Sequence, residues 1–153
     1  MVTKEMIRIL SIFSILFLGS CMSNAQRLKN VKYFNKEILK NIDTENYYQC
    51  TGVYFSDKNY NIIRELKNTT TRILKFKKDG YIESNAIASN KDGNSGVIYI
   101  KNGKLKIDLI GGTSDRSKIV RTYRVKIEGE RLHVLEESAV INELIYYVYE
   151  LKK

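Results

Sequence analysis

From Thr51 onward the chain alternates apolar and polar residues in short runs separated by turn formers, and no Pro interrupts them. A period of two sends successive side chains to opposite faces, so such runs make strands with one buried face and cannot make helices. Eight strands are predicted, at 51–56, 71–77, 81–88, 96–101, 104–110, 121–127, 130–136 and 143–151. Their close succession implies consecutive antiparallel pairing.

Three of the connections are tight. Asn102-Gly103 suits a two-residue type I′ turn, which needs positive φ at both central residues. That turn pairs Ile100 with Leu105, Ile98 with Ile107 and Gly96 with Leu109, and sends Lys101, Lys104, Lys106 and Asp108 to the other face. Lys78-Asp79-Gly80 fits a three-residue turn with Gly80 left-handed, pairing Phe76 with Ile82 and Lys75 with Glu83. Glu128-Gly129 is read as the third turn, pairing Val125 with Leu132 and Tyr123 with Val134.

The other connections, 57–70, 89–95, 111–120 and 137–142, are longer. In an up-and-down meander alternate connections share an end, so the long loops form a mouth and the tight turns a base. The fold expected is all-β: an eight-stranded up-and-down antiparallel barrel. Its inward set is Leu74, Phe76, Ile82, Ile98, Ile100, Leu105, Ile107, Leu109, Tyr123, Val125, Leu132 and Val134, the candidate lining for a small hydrophobic ligand. Eight strands enclose a space that side chains can just fill or that can hold one small molecule. Both outcomes stay open. Asn61 to Lys67 is read as a helical turn, with Ile62, Ile63 and Leu66 over the rim as a lid or as ordinary packing.

The number, order and alternation of these strands resemble the lipocalin-like proteins, particularly the small lipocalin-like lipoproteins of Gram-negative bacteria. Gly52-Val53-Tyr54 stands where that family's Gly-x-Trp opens the first strand, with Tyr54 in place of Trp. Leu74-Lys75-Phe76-Lys77-Lys78-Asp79-Gly80 is similar to the second-strand hairpin of the bacterial group. The resemblance implies a barrel that binds an apolar molecule.

Ahead of the strands, Lys4 and Arg8 precede an apolar stretch from Ile9 to Leu18, which has the anatomy of a signal peptide and is short for a membrane span. Leu18-Gly19-Ser20-Cys21 resembles the lipobox of bacterial lipoproteins. In that family the Cys21 sulfur is lipidated, the chain is cut before it, and Met22 in place of Asp favours the outer membrane. Several acyl chains meet the condition for stable anchoring. Ser23-Asn24-Ala25 offers a competing cut that yields a secreted or periplasmic form. The division expected is signal peptide 1–20, linker and amphipathic helix 21–50, and barrel 51–153. Within Leu28 to Ile42, Leu28, Val31, Phe34, Ile38, Leu39 and Ile42 fall on one helical arc beside a lysine stripe.

The net charge of +9 fits anionic headgroups or simple solubility, and the leader makes nucleic acid an unexpected partner. At the mouth, Lys58, Arg64, Lys67, Lys91, Arg116 and Lys118 oppose Asp57, Glu65, Asp92 and Asp115, while Glu136, Glu137 and Glu143 flank the last loop. These loops are the candidate surface for a protein partner, in an inhibitor, immunity or assembly role, if the barrel is solid. No enzymatic activity, cofactor or metal is expected. His133 is the only histidine and is placed facing solvent, Cys50 is read as a small buried hydrophobe, and no disulfide framework is expected. Glu136 and Glu137 are adjacent on a strand and point to opposite faces.

Overall fold

The computed structural model describes residues 28–67, 71–87, 89–90, 92–111, 119–137 and 143–153. The leader, Cys21 and the cut after Ala25 lie outside them, as do Lys91, Asp115, Arg116 and Lys118. The strands are β1 (Tyr47–Ser56), β2 (Ile62–Glu65), β3 (Ile73–Phe76), β4 (Tyr81–Glu83), β5 (Gly96–Lys101), β6 (Lys104–Gly111), β7 (Ile119–Glu128), β8 (Arg131–Glu136) and β9 (Leu144–Lys152). All pairings are antiparallel, and β3 through β9 follow one another in order. Strand β1 then pairs with β9 along its whole length, which closes an eight-stranded barrel.

The ninth strand, β2, corrects the helical turn expected at 61–67. It lies on the same edge of β1 as β3: β1 pairs Tyr48 and Gln49 with β3, and Tyr54 to Ser56 with β2. Alternation was short there, because Ile62 and Ile63 are adjacent, and both are exposed, at 56% and 52%. Leu66 packs against the core, so the trio does not act as one surface. β1 also starts at Tyr47, before the expected Thr51, and β4 stops at Glu83 well short of 88. The register slips between Cys50 and Gly52, a bulge at Thr51.

Two of the three hairpin registers agree with expectation. Asn102 and Gly103 both have positive φ, and Gly96, Ile98 and Ile100 face Leu109, Ile107 and Leu105. Phe76 faces Ile82 across a turn in which Gly80 has φ of +86°. The third is displaced by two residues. The turn is Gly129-Glu130 with positive φ at Gly129, so Val125 faces Val134 and Ile127 faces Leu132. Gly at the first central position suits a type II′ turn, and an even shift preserves which residues face inward.

The amphipathic segment is not a continuous helix. It forms two 3-10 turns, Lys29–Tyr33 and Lys36–Lys40, separated by extended backbone at Phe34 and Asn35. The Asn35 side chain accepts a hydrogen bond from Glu37 N and starts the second turn. The break divides the apolar stripe between two surfaces. Leu28 and Val31 lie on the outside of the barrel with Val97, Tyr99 and Ile110, whereas Phe34, Ile38 and Ile42 join the interior cluster. The segment thus straps one wall and then plugs the base. Burying each Ile there contributes on the order of 1.5–3 kcal/mol.

Candidate functional site

Of the twelve residues expected inside, ten are buried, Leu105 is partly buried against the core, and Ile100 is 40% exposed. Ile100 is the correction. It sits beside Lys101 at the turn end of β5, beyond the reach of the plug, so facing inward does not bury it. From mid-height to the base the interior is filled by Phe76, Ile82, Ile98, Ile107, Val125 and Leu132 together with Ile38 and Ile42. Tyr48 meets Phe76 edge to face with centroids 5.6 Å apart. A more open cleft of about 650 Å³ lies at this end, lined by Lys40–Asp43, Tyr48, Ile127, the Gly129-Glu130 turn and Leu151, so the plug residue Ile42 forms part of its wall.

The upper half differs. A cavity of about 350 Å³ opens at the mouth, lined by Ala86, Ile87, Leu109, Ile145, Tyr123, Tyr147 and Tyr149 and by two cations, Arg72 and Arg121. This is at the small end of ligand pockets, which run to about 300–1,000 Å³. Arg72 Nη1 donates to Tyr147 Oη at 3.1 Å, and its guanidinium lies 5.2 Å from the same ring. Its Nε is buried with no hydrogen-bond partner among the described residues. Arg121 Nη1 donates to Glu136 Oε1 at 3.1 Å. Burial pushes the Tyr123 and Tyr149 phenols well above their ordinary range, so both remain protonated donors near neutrality. No family model, curated protein or solved structure matches this chain.

Leu109 and Tyr123 are the two expected lining residues that reach the cavity; the other ten lie deeper or toward the base. Arg72 and Arg121 were not singled out, and Glu136 was read only as flanking the last loop and facing opposite Glu137, yet the alternation carries all three. Arg72 shares parity with Leu74 and Phe76, Arg121 with Tyr123, and Glu136 with Val134. Glu137 points the other way, to Lys106 at 2.6 Å and Arg124 at 3.6 Å, so the two glutamates take opposite faces as expected. At the rim, Arg64 stacks on Phe55 at 4.0 Å and pairs with Glu143 at 3.3 Å.

Two polar clusters lie on the outer wall. Asp108, expected on the polar face, is on that face but only 2% exposed, because the first 3-10 turn covers it. Its carboxylate accepts from Tyr99 Oη at 2.8 Å, Thr122 Oγ1 at 2.7 Å and Asn30 Nδ2 at 2.6 Å. These bonds satisfy the buried charge and pin the strap to the wall. His133 faces outward as expected, but its ring is stacked on Tyr146 and is largely covered. Its Nδ1 shares a hydrogen bond with Tyr146 Oη, and Nε2 lies 3.2 Å from Glu128 Oε2. Tyr54 joins Tyr146 and Tyr60 in this outer cluster. Cys50 is buried against the interior, its Sγ 3.4 Å from Gly52 O. Among the described residues no group of three His, Cys, Asp or Glu is placed to hold a metal ion.

Proposed function

We propose that the protein is a membrane-tethered, lipocalin-like lipoprotein that carries a small hydrophobic ligand in the upper half of its barrel. The observation that supports this best is the cavity of about 350 Å³ at the mouth of a barrel whose base is plugged. Among the described residues the interior is packed by the plug below and lined by aromatic and aliphatic side chains around the upper cavity, which would shield an apolar molecule from water. The tether rests on Leu18-Gly19-Ser20-Cys21, with lipid on Cys21 and the outer membrane as the destination. Because the chain enters β1 at the base, the mouth would face away from the membrane.

Organic extraction of the purified protein followed by mass spectrometry, with displacement of a fluorescent fatty acid, tests the carrier role. One apolar molecule per barrel or saturable, displaceable probe binding is expected; an empty protein that takes up no probe contradicts it. The tether is tested by Cys21→Ala. This variant should lose lipid labelling and membrane retention, and unchanged maturation would point to cleavage after Ala25.

A second reading, a non-enzymatic protein-binding barrel, is favoured by β2. Its residues are all exposed, Ile62 and Ile63 among them, and in the described residues it pairs on one edge only, with β1. Exposed strand edges recruit extended peptides. Replacing both Ile62 and Ile63 with Asp should abolish capture of an envelope protein if this reading holds, and leave captured proteins unchanged if it does not.

A further inference from the structure

The lysines of the strap and of the Asn102-Gly103 turn form one surface. In a 3-10 turn, side chains three apart eclipse, so Asn30 and Tyr33 share one side of Lys29–Tyr33, and Lys29 and Lys32 another. Asn30 Nδ2 donates to Tyr99 Oη at 3.2 Å, and the Tyr33 ring lies 6.4 Å from the Tyr99 ring, which lays the strap along β5 toward its turn. There Lys32 Nζ and Lys101 Nζ sit 5.1 Å and 5.2 Å from the centre of the exposed Tyr33 ring. Two ammonium groups from separate elements thus converge on one tyrosine. Lys36 opens the second 3-10 turn, and Lys104 pairs with Lys101 across the hairpin. All five lysines are exposed, and none makes an ion pair among the described residues.

The acids on neighbouring elements are engaged elsewhere. Glu37 pairs with Lys40, Glu83 with Lys77 at 2.8 Å, and Asp108 is buried beneath the strap. The Asp79 carboxylate accepts from Tyr81 N in its own turn, at 3.2 Å. Across the base, around β7, β8 and β9, cations are matched: Lys126 pairs with Glu128 at 2.5 Å, Arg131 with Glu150 at 2.9 Å and Lys153 with Glu130 at 2.5 Å. The uncompensated charge of the base is therefore one-sided.

We propose that this side of the base lies on an anionic lipid surface, the five lysines on headgroup phosphates and the exposed Tyr33 and Ile100 at the edge of the acyl region. Phosphates relieve the repulsion between crowded ammonium groups, and each lysine near such a surface strengthens binding about fivefold. Tyrosine suits the boundary, having an apolar ring and a polar tip. The chain length fits as well. Cys21 stands seven residues before Leu28, so a lipid on it is held within about 25 Å of the strap. The choice of lipid over other anions rests on the membrane-tethered reading, to which this surface adds a second contact that does not use the acyl chains of Cys21.

Cosedimentation of the purified protein with vesicles of phosphatidylcholine, alone or with about 30% phosphatidylglycerol, measures the anionic preference. Partition onto the anionic vesicles should be at least about tenfold stronger at low salt, and about 0.5 M salt should remove the difference. Replacing Lys29, Lys32, Lys36, Lys101 and Lys104 with Gln should bring the preference to within about twofold. Gln at Lys126, Arg131, Lys152 and Lys153 should leave most of it; equal losses would assign the effect to net charge and overturn the proposal. Because the chain has no Trp, Tyr33→Trp and Ile62→Trp each install a single reporter, one on this surface and one on β2 near the mouth. On anionic vesicles the emission of the first should shift to the blue and that of the second stay in place, and the reverse contradicts the orientation. No anionic preference, or retention by a DNA duplex and not by vesicles, overturns the surface, while lipid labelling of Cys21 in the same protein would leave the tether standing. An unlabelled Cys21 with the preference intact removes the tether and keeps the surface.

Discussion

The two ends of this barrel are built from similar residues but used differently. At the base, Phe34, Ile38 and Ile42 arrive from outside the meander and complete a close-packed interior with Tyr48, Phe76 and Leu132. At the mouth no segment of the described chain plays that part, and tyrosines and two arginines surround a cavity. The difference shows that, among the described residues, packing inside one eight-stranded barrel varies from end to end. Among the described residues the plug at Phe34, Ile38 and Ile42 packs only the lower half.

The sharpest way to break the comparison is to shrink equivalent side chains at the two ends. Ile38→Ala should cost about 2–5 kcal/mol, since a buried Ile leaves a cavity that the surrounding strands cannot close. Ile145→Ala, at the cavity wall, should cost less than about 1 kcal/mol and, on the proposed carrier reading, weaken binding of the fatty-acid probe instead. Denaturant unfolding of both variants checks this, and equal losses would remove the distinction between a packed base and an open mouth.

Next in size is Gly80→Ala, expected to cost about 1–3 kcal/mol. The residue is left-handed, and a Cβ there would come within 2.4 Å of the Phe34 ring, so turn and plug are disturbed together. Hydrogen exchange should speed up over residues 34–42; stability loss with unchanged exchange there would mean the plug does not depend on the turn. Asp108→Asn should cost about 1–2 kcal/mol by weakening charge-assisted bonds to Tyr99, Thr122 and Asn30. Proteolysis near Leu28–Tyr33 should accelerate while the interior packing holds, because the strap lies outside the barrel.

The smallest effect is alkaline. Burial raises the Tyr149 and Tyr123 phenols in the folded protein, so the unfolded chain, whose tyrosines ionise near pH 10, loses those protons first. Their contribution is fully present below about pH 10 and declines above it, by at most about 1.4 kcal/mol per pH unit for each phenol. Tyr149→Phe should flatten the fall of the urea midpoint between pH 9 and 11. An unchanged slope would contradict the burial of that hydroxyl.

Much of the barrel was readable from residues 51 onward because one face of each hairpin is apolar, and period-two alternation then sets register and facing together. Where both faces are covered, the signal vanishes. Leu144 to Val148 is apolar on every residue, since Tyr146 packs outward on Tyr54 and His133 while Tyr147 points inward. Sequence alternation therefore could not name Ile145, Tyr147 or Tyr149 as cavity wall. Val97 and Tyr99 raise the same difficulty, resolved by the strap at Leu28 and Val31. The helical arc of 28–42 misled for a related reason: its apolar residues serve two different surfaces, which an extended break at Asn35 separates. For the site, Arg72 and Arg121 were within reach of the parity argument. Neither was singled out, although the parity of each with its buried strand neighbours places it within.

The central claim, a barrel filled below and open above, is tested most directly by methyl NMR of the Ile, Leu and Val side chains during titration with decanol. The account predicts shifts at Ile87, Leu109 and Ile145, with Ile38, Ile82 and Ile98 unmoved. Shifts at the base set, or none anywhere at saturating decanol, would contradict it.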